Sequence, residues 1–116
     1  MICTNPDLIV HRGSKSEYCA GTLARVFEEQ GGEVVYFGKP YPEIYNFCMK
    51  PNENILAIGD NLRTDIKGAN NMKLDSLFIT SGVHKLEFSS LETKKYDKIL
   101  ERYEAKTNYY QEKLTW

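Results

Sequence analysis

No apolar run in this chain approaches the roughly 18 to 20 residues that cross a bilayer. Its start, "MICTNPDLIVHRG", has no basic segment followed by a long apolar stretch, so no leader is expected. Charge of one sign is lacking too. Fifteen Lys and Arg against sixteen Asp and Glu leave a net charge of −1, which makes no electrostatic case for nucleic acid or an acidic membrane as partner. Histidine is scarce, with two in all, and a zinc site is therefore not expected. The three cysteines, Cys3, Cys19 and Cys48, are odd in number and lack C-x-x-C spacing. They fit reduced, partly buried thiols of a cytoplasmic protein. Both G-x-x-x-x-G-K-[ST] and G-x-G-x-x-G are absent, which removes a Walker A loop and a dinucleotide fingerprint.

What is present is ordinary in bulk and specific in pattern. A length of 116 residues allows one domain and hardly two. "MICTNPDLIV" is a β-like run broken by the turn signal Asn5-Pro6-Asp7. "EYCAGTLARVFEEQGG" reads as a helix with Cys19, Leu23, Val26, Phe27 and Gln30 inward, stopped by Gly31-Gly32. "EVVYF" is β-branched and aromatic, hence a strand. "EIYNFCMK" is a short helix with Ile44, Phe47 and Cys48 on one face, ending before Pro51. "ILAI" and "SLFIT" suit strands buried on both faces of a parallel sheet. "TDIKGANNM" between them is helical in pattern, with Ile66 and Ala69 inward. From Glu87 on, helical propensity returns, and Tyr96, Ile99, Leu100, Tyr103, Tyr110 and Leu114 mark an amphipathic stripe. Strands alternating with helices argue for an α/β fold with parallel pairing.

Two motifs carry chemistry. In "ILAIGDNLRTDIKGAN", Asp60 follows an apolar strand and Asp65 falls in the first turn of the next helix. Ligands of open parallel sheets bind off the carboxyl ends of strands. Hard oxygen donors there suit Mg²⁺, which takes one or two protein carboxylates and fills its shell with water or phosphate. The spacing also allows a plainer reading, with Asp60 a turn residue and Asp65 or Thr64 a helix cap. Lys39, in "GKP", is placed to neutralise a phosphate or a metal-bound carboxylate, or is a solvated loop lysine. His84 and His11 read as surface or loop histidines, and Asn5 and Asp7 as a turn.

Together, "GKPYPEIY", "ILAIGDNLRTDIKGAN" and "SLFITSGVH" resemble the C-terminal half of haloacid dehalogenase (HAD)-like phosphatases. The resemblance is to subfamily IIA, the NagD and p-nitrophenylphosphatase-like group. "CTNPD" at residues 3–7 resembles a segment late in that family's inserted cap, which implies, as the alternative to a simple turn, that Asn5 and Asp7 face substrate in the intact enzyme. The resemblance implies a partial Rossmann-like, HAD-type parallel sheet with flanking helices, preceded by a remnant of the cap. Residues 1–37 then close the cap and 38–86 form the C-terminal half of the core, while the propensity and stripe of 87–116 give the expectation of a helical tail. The resemblance also implies phosphate binding by Lys39, Mg²⁺ binding by Asp60 with Asp65 as companion, and a phosphate ester substrate. The family reaction is phosphoryl transfer to an aspartate followed by hydrolysis.

The family's nucleophile comes from an Asp-x-Asp motif, and no two aspartates of this chain stand two residues apart. The expectation is a truncated phosphohydrolase, inactive alone and weak in holding Mg²⁺. Two other readings stay open. One is half of a split enzyme completed by an N-terminal chain or by a homo-oligomer. The other is a non-catalytic interaction module working through its Tyr-rich tail.

Overall fold

The structure is a computed structural model that describes residues 1–89 and 93–115. Among them, no helix is long and apolar enough to cross a membrane. Strands β1 (Ile2–Cys3) and β4 (Val35–Tyr36) pair in parallel, Ile2 opposite Val35. Between them lie an antiparallel hairpin, β2 (Ile9–Arg12) with β3 (Lys15–Tyr18), and helix α1 (Ala20–Glu29). Helix α2 (Pro42–Cys48) leads into β5 (Leu56–Gly59). A π-helical turn (Leu62–Ile66) runs directly into α3 (Lys67–Asn71), followed by β6 (Asp75–Ile79) and α4 (Lys85–Phe88). Helix α5 (Thr93–Arg102) and β7 (Tyr109–Gln111) complete the chain. The order β5-β6-β7 makes a three-stranded, wholly parallel sheet. The expected α/β class with parallel pairing is what the chain adopts.

The core gathers on one side of that sheet. Leu62, Ile66, Phe78, Phe88, Tyr96, Ile99 and Ala105 form one buried cluster. Phe78 meets Phe88 edge-on at 5.1 Å between centroids, and Phe88 meets Tyr96 at 5.4 Å. Ile66 and Ala69 are buried, as their spacing implies.

Several expectations need correction. Helix α1 ends where Gly31-Gly32 predicts, with Gly31 at φ +87°, but its inward face differs. Gly21 and Ala24 are buried, whereas Leu23, Val26 and Phe27 are exposed. The small residues allow close backbone approach, so that Gly21 N–H donates to the Asp7 carbonyl at 3.2 Å. In α2, Ile44, Phe47 and Cys48 are exposed as well. Strand β5 is not covered on both faces: Leu56 and Ile58, two apart and so on one face, are 45% and 40% exposed.

The expectation of a helical tail is corrected within the described residues. Tyr96 and Ile99 are buried on α5, but the helix stops at Arg102 and residues 109–111 form β7. The reason is tertiary. The edge of β6 offers unpaired backbone, and Asn108 seats the new strand by accepting from Ser76 N–H (3.1 Å) and donating to Asp75 (2.8 Å). Tyr110 and Leu114 therefore lie beyond the helical stripe and are exposed.

Candidate functional site

Strand β5 ends at Gly59 and delivers Asp60 at the carboxyl edge of the sheet. Glycine is required there because a Cβ would overlap the Asp65 side chain. Asp65 turns back onto the strand end. Its Oδ2 accepts from the backbone N–H of Asp60 (3.1 Å) and of Asn61 (3.0 Å), while Oδ1 pairs with Lys39 Nζ. The π-helical turn makes this reach possible, with both Asp65 N–H and Ile66 N–H donating to the Asn61 carbonyl. Such turns occur often at functional sites. Asp60 Oδ2 accepts from Val83 N–H at 3.0 Å, in the loop after β6, where Gly82 has no Cβ to collide with the carboxylate.

The structure thus brings together all three residues singled out by sequence: Lys39, Asp60 and Asp65. Lys39 follows Gly38, whose φ of +98° turns the chain out of β4. It points its ammonium at a buried carboxylate, and its own side chain stays half exposed. Burial acts to lower its pKa. The hydrogen bond and charge of Asp65, with the charge of Asp7, outweigh that and hold it above its ordinary value. The helix-cap alternative falls to a neighbour, since Asn61 Oδ1 accepts from Arg63 N–H at 3.0 Å. Thr64 instead donates to Asp7. A cleft of about 650 Å³ opens over this cluster, lined by Asn5, Asp7, His11, Lys39, Asp60 and Asp65 among others.

Two residues were not legible as parts of the site. Asp7 is more than a turn residue: its Oδ1 accepts from Asn61 Nδ2 (2.9 Å) and from Thr64 Oγ1 (2.8 Å). His84 is not a surface histidine, being only 2% exposed. Its Nε2 accepts from Leu62 N–H at 3.2 Å, which leaves the proton on Nδ1 to donate to Glu87 at 2.6 Å. His11, by contrast, is exposed on β2. No local spacing marks the contacts of Asp7 with Asn61 and Thr64 or of His84 with Leu62, because each joins residues more than twenty positions apart.

The HAD-hydrolase-like family model matches residues 36–107. The chain belongs to that family. Ribonucleotide monophosphatase NagD of Escherichia coli K12 is 32% identical over 90 residues, which cover 74% of this chain and 35% of NagD. A HAD-like hydrolase from Brucella suis 1330 superposes with a TM-score of 0.74 at 32% identity, covering 98% of this chain and 44% of that one. A glycerol phosphate phosphatase from Mycobacterium tuberculosis, solved in complex with calcium, superposes at 0.59 with 28% identity, covering 71% and 25%. The chain is a HAD-like phosphatase relative of subfamily IIA. It spans about a third of the length of the curated relatives it matches.

Metal dependence is general among HAD phosphatases, so the donors must be tested against a cation. Asp65 has both oxygens committed to Lys39 and to backbone N–H groups. Asp60 has one oxygen committed, to Val83. Among the described residues, no group of three or more His, Cys, Asp or Glu side chains gathers as a ligand set. The residues fit one carboxylate contribution to a metal, through Asp60, and not a complete cage.

Proposed function

We propose that this HAD-like chain supplies the lysine and acidic part of a phosphohydrolase site for phosphate monoesters, and that its 116 residues alone do not turn over. The observation that carries this reading is the Lys39–Asp65 pair locked beside Asp60 at the end of β5. Lys39 offers a fixed positive charge to phosphoryl oxygens, and Asp65 fixes its position. Asp60 would be the direct ligand for Mg²⁺, with Asp65 as its supporting carboxylate, and bound Mg²⁺ would neutralise charge on the phosphoryl group. Residues 1–37 correspond to the end of the cap and 38–86 to the core. In support, the β1–β4 sheet shares no strand with β5-β6-β7. Cys3, Cys19 and Cys48 are all free thiols, in keeping with a reducing, cytoplasmic setting.

Turnover is not expected because a nucleophile is lacking. The five aspartates, at 7, 60, 65, 75 and 97, include no Asp-x-Asp pair. Asp7 is engaged by Asn61 and Thr64, and Asp65 by Lys39. Enzymes of phosphate monoester hydrolysis reach accelerations of up to about 10²¹-fold, and positioning alone does not approach that. The purified chain with p-nitrophenyl phosphate and Mg²⁺ is expected at background, as is Asp60→Asn. A Mg²⁺-dependent rate that Asp60→Asn abolishes overturns the claim. A second reading, completion by a strand of another chain, draws support from the open edge of β5 with Leu56 and Ile58 exposed. Its test is recovery of turnover when a polypeptide bearing a strand and Asp-x-Asp is added.

A further inference from the structure

Hairpin β2–β3 pairs with no other strand among the described residues, and most of its residues are exposed. Yet Val10, His11 and Ser14 line the same cleft as Lys39 and Asp60. Something must hold the hairpin there, and its neck shows what. Leu8 C=O accepts from Cys19 N–H (2.9 Å) and Thr22 Oγ1 (2.6 Å), which joins the two feet of the hairpin to the start of α1. Asp7 N–H donates to Asn5 Oδ1 (3.1 Å), and Asp7 C=O accepts from Gly21 N–H. The neck is therefore one tied unit. Its link to the π-helical turn is the Asp7 carboxylate, on which Asn61 Nδ2 and Thr64 Oγ1 converge from 54 and 57 residues away. Both donors belong to buried residues, 8% and 5% exposed; Asn61 precedes the turn that presents Asp65 to Lys39, and Thr64 lies within it.

We propose that Asp7 is a positioning residue whose carboxylate latches the neck of hairpin β2–β3 to the π-helical turn and so sets the hairpin over the Lys39–Asp60 cleft. The functional part rests on the reading of that cleft as a phosphate-ester site. A hydrogen bond to a charged group changes an opening equilibrium by roughly tenfold, and the latch has two.

The test compares the full chain with Asp7→Ala, Asp7→Asn and Thr64→Val, by amide hydrogen exchange and by titration with inorganic phosphate. Asp7→Ala is expected to speed exchange of hairpin amides 10–12 and 15–18 about tenfold or more, leaving β6 amides little changed, and to weaken phosphate binding. Asp7→Asn keeps an Oδ1 acceptor and should restore much of both. Thr64→Val removes one donor and should fall between. Hairpin exchange unchanged in Asp7→Ala, or raised equally across the β5-β6-β7 sheet, overturns the latch. If Asp7→Ala does not fold, the ranking of Thr64→Val and Asp7→Asn against the parent decides. Should the parent chain fail to bind phosphate, the phosphate-ester reading falls, while hairpin exchange still decides the latch.

Discussion

Asp60 and Asp65 are the same residue type five positions apart, yet their surroundings give them different work. Asp65 is the acceptor for three donors, two of them backbone, and is 8% exposed. Asp65→Ala strands those donors and is expected to cost about 3 kcal/mol of stability. Asp60→Asn retains an acceptor for Val83 N–H and should cost less than ~1 kcal/mol. Urea unfolding of both variants checks the ranking, and the reverse order would reverse the assigned roles. The His84–Glu87 pair yields a pH prediction. Burial pushes the Glu87 carboxyl up, but hydrogen bonds from His84 and Tyr103 and the charge of Arg102 hold it below its ordinary value. A carboxyl depressed by folding adds stability above its unfolded pKa of about 4.3, and that stability is lost as pH falls through the folded value. Unfolding midpoints should therefore fall on acidification below about pH 4, and Glu87→Gln should flatten that limb.

At the level of elements, the π-helical turn and α3 act as one unit behind the site. Gly68 lies inside α3, where alanine normally gains about 1 kcal/mol. A Cβ at Gly68 would collide with the Tyr45 hydroxyl and ring of α2, so Gly68→Ala is expected to destabilise. Adding Tyr45→Phe removes the nearest atom and should recover part of the loss. Thermal melts of the single and double variants test this; a stabilised single variant would contradict the packing of α2 on α3. The amphipathic pattern of α1 misleads for a related reason. Periodicity shows which residues share a face, but the approach of Gly21 to the Pro6–Asp7 backbone selects the face that is buried.

For the whole molecule, the exposed edge of β5 is the main liability. Leu56 and Ile58 face solvent beside backbone that, among the described residues, pairs on one side only, and such an edge invites pairing with another chain. Ile58→Lys should reduce concentration-dependent association in sedimentation while changing stability by no more than about 0.5 kcal/mol, because the site is already open. The parallel order of the sheet, the stop at Gly31-Gly32, and the grouping of Lys39, Asp60 and Asp65 were all readable from the chain. The first two rest on local composition, turn chemistry and spacing, and the grouping rests on the resemblance of its motifs to a known family. β7, the burial of His84, the exposed face of α1 and the Asp7 link were not readable, because each depends on which distant segment arrives. Local propensity makes residues 103–114 an extension of a helix, and only the free edge of β6 turns three of them into a strand. In the same way the sequence by itself put one carboxylate after a strand, a second in the first turn of the next helix and a lysine in a strand-to-helix loop. Tertiary structure alone decided that Asp65 holds the lysine, leaving Asp60 the freer carboxylate, because burial and convergent donors are properties of neighbours and not of spacing.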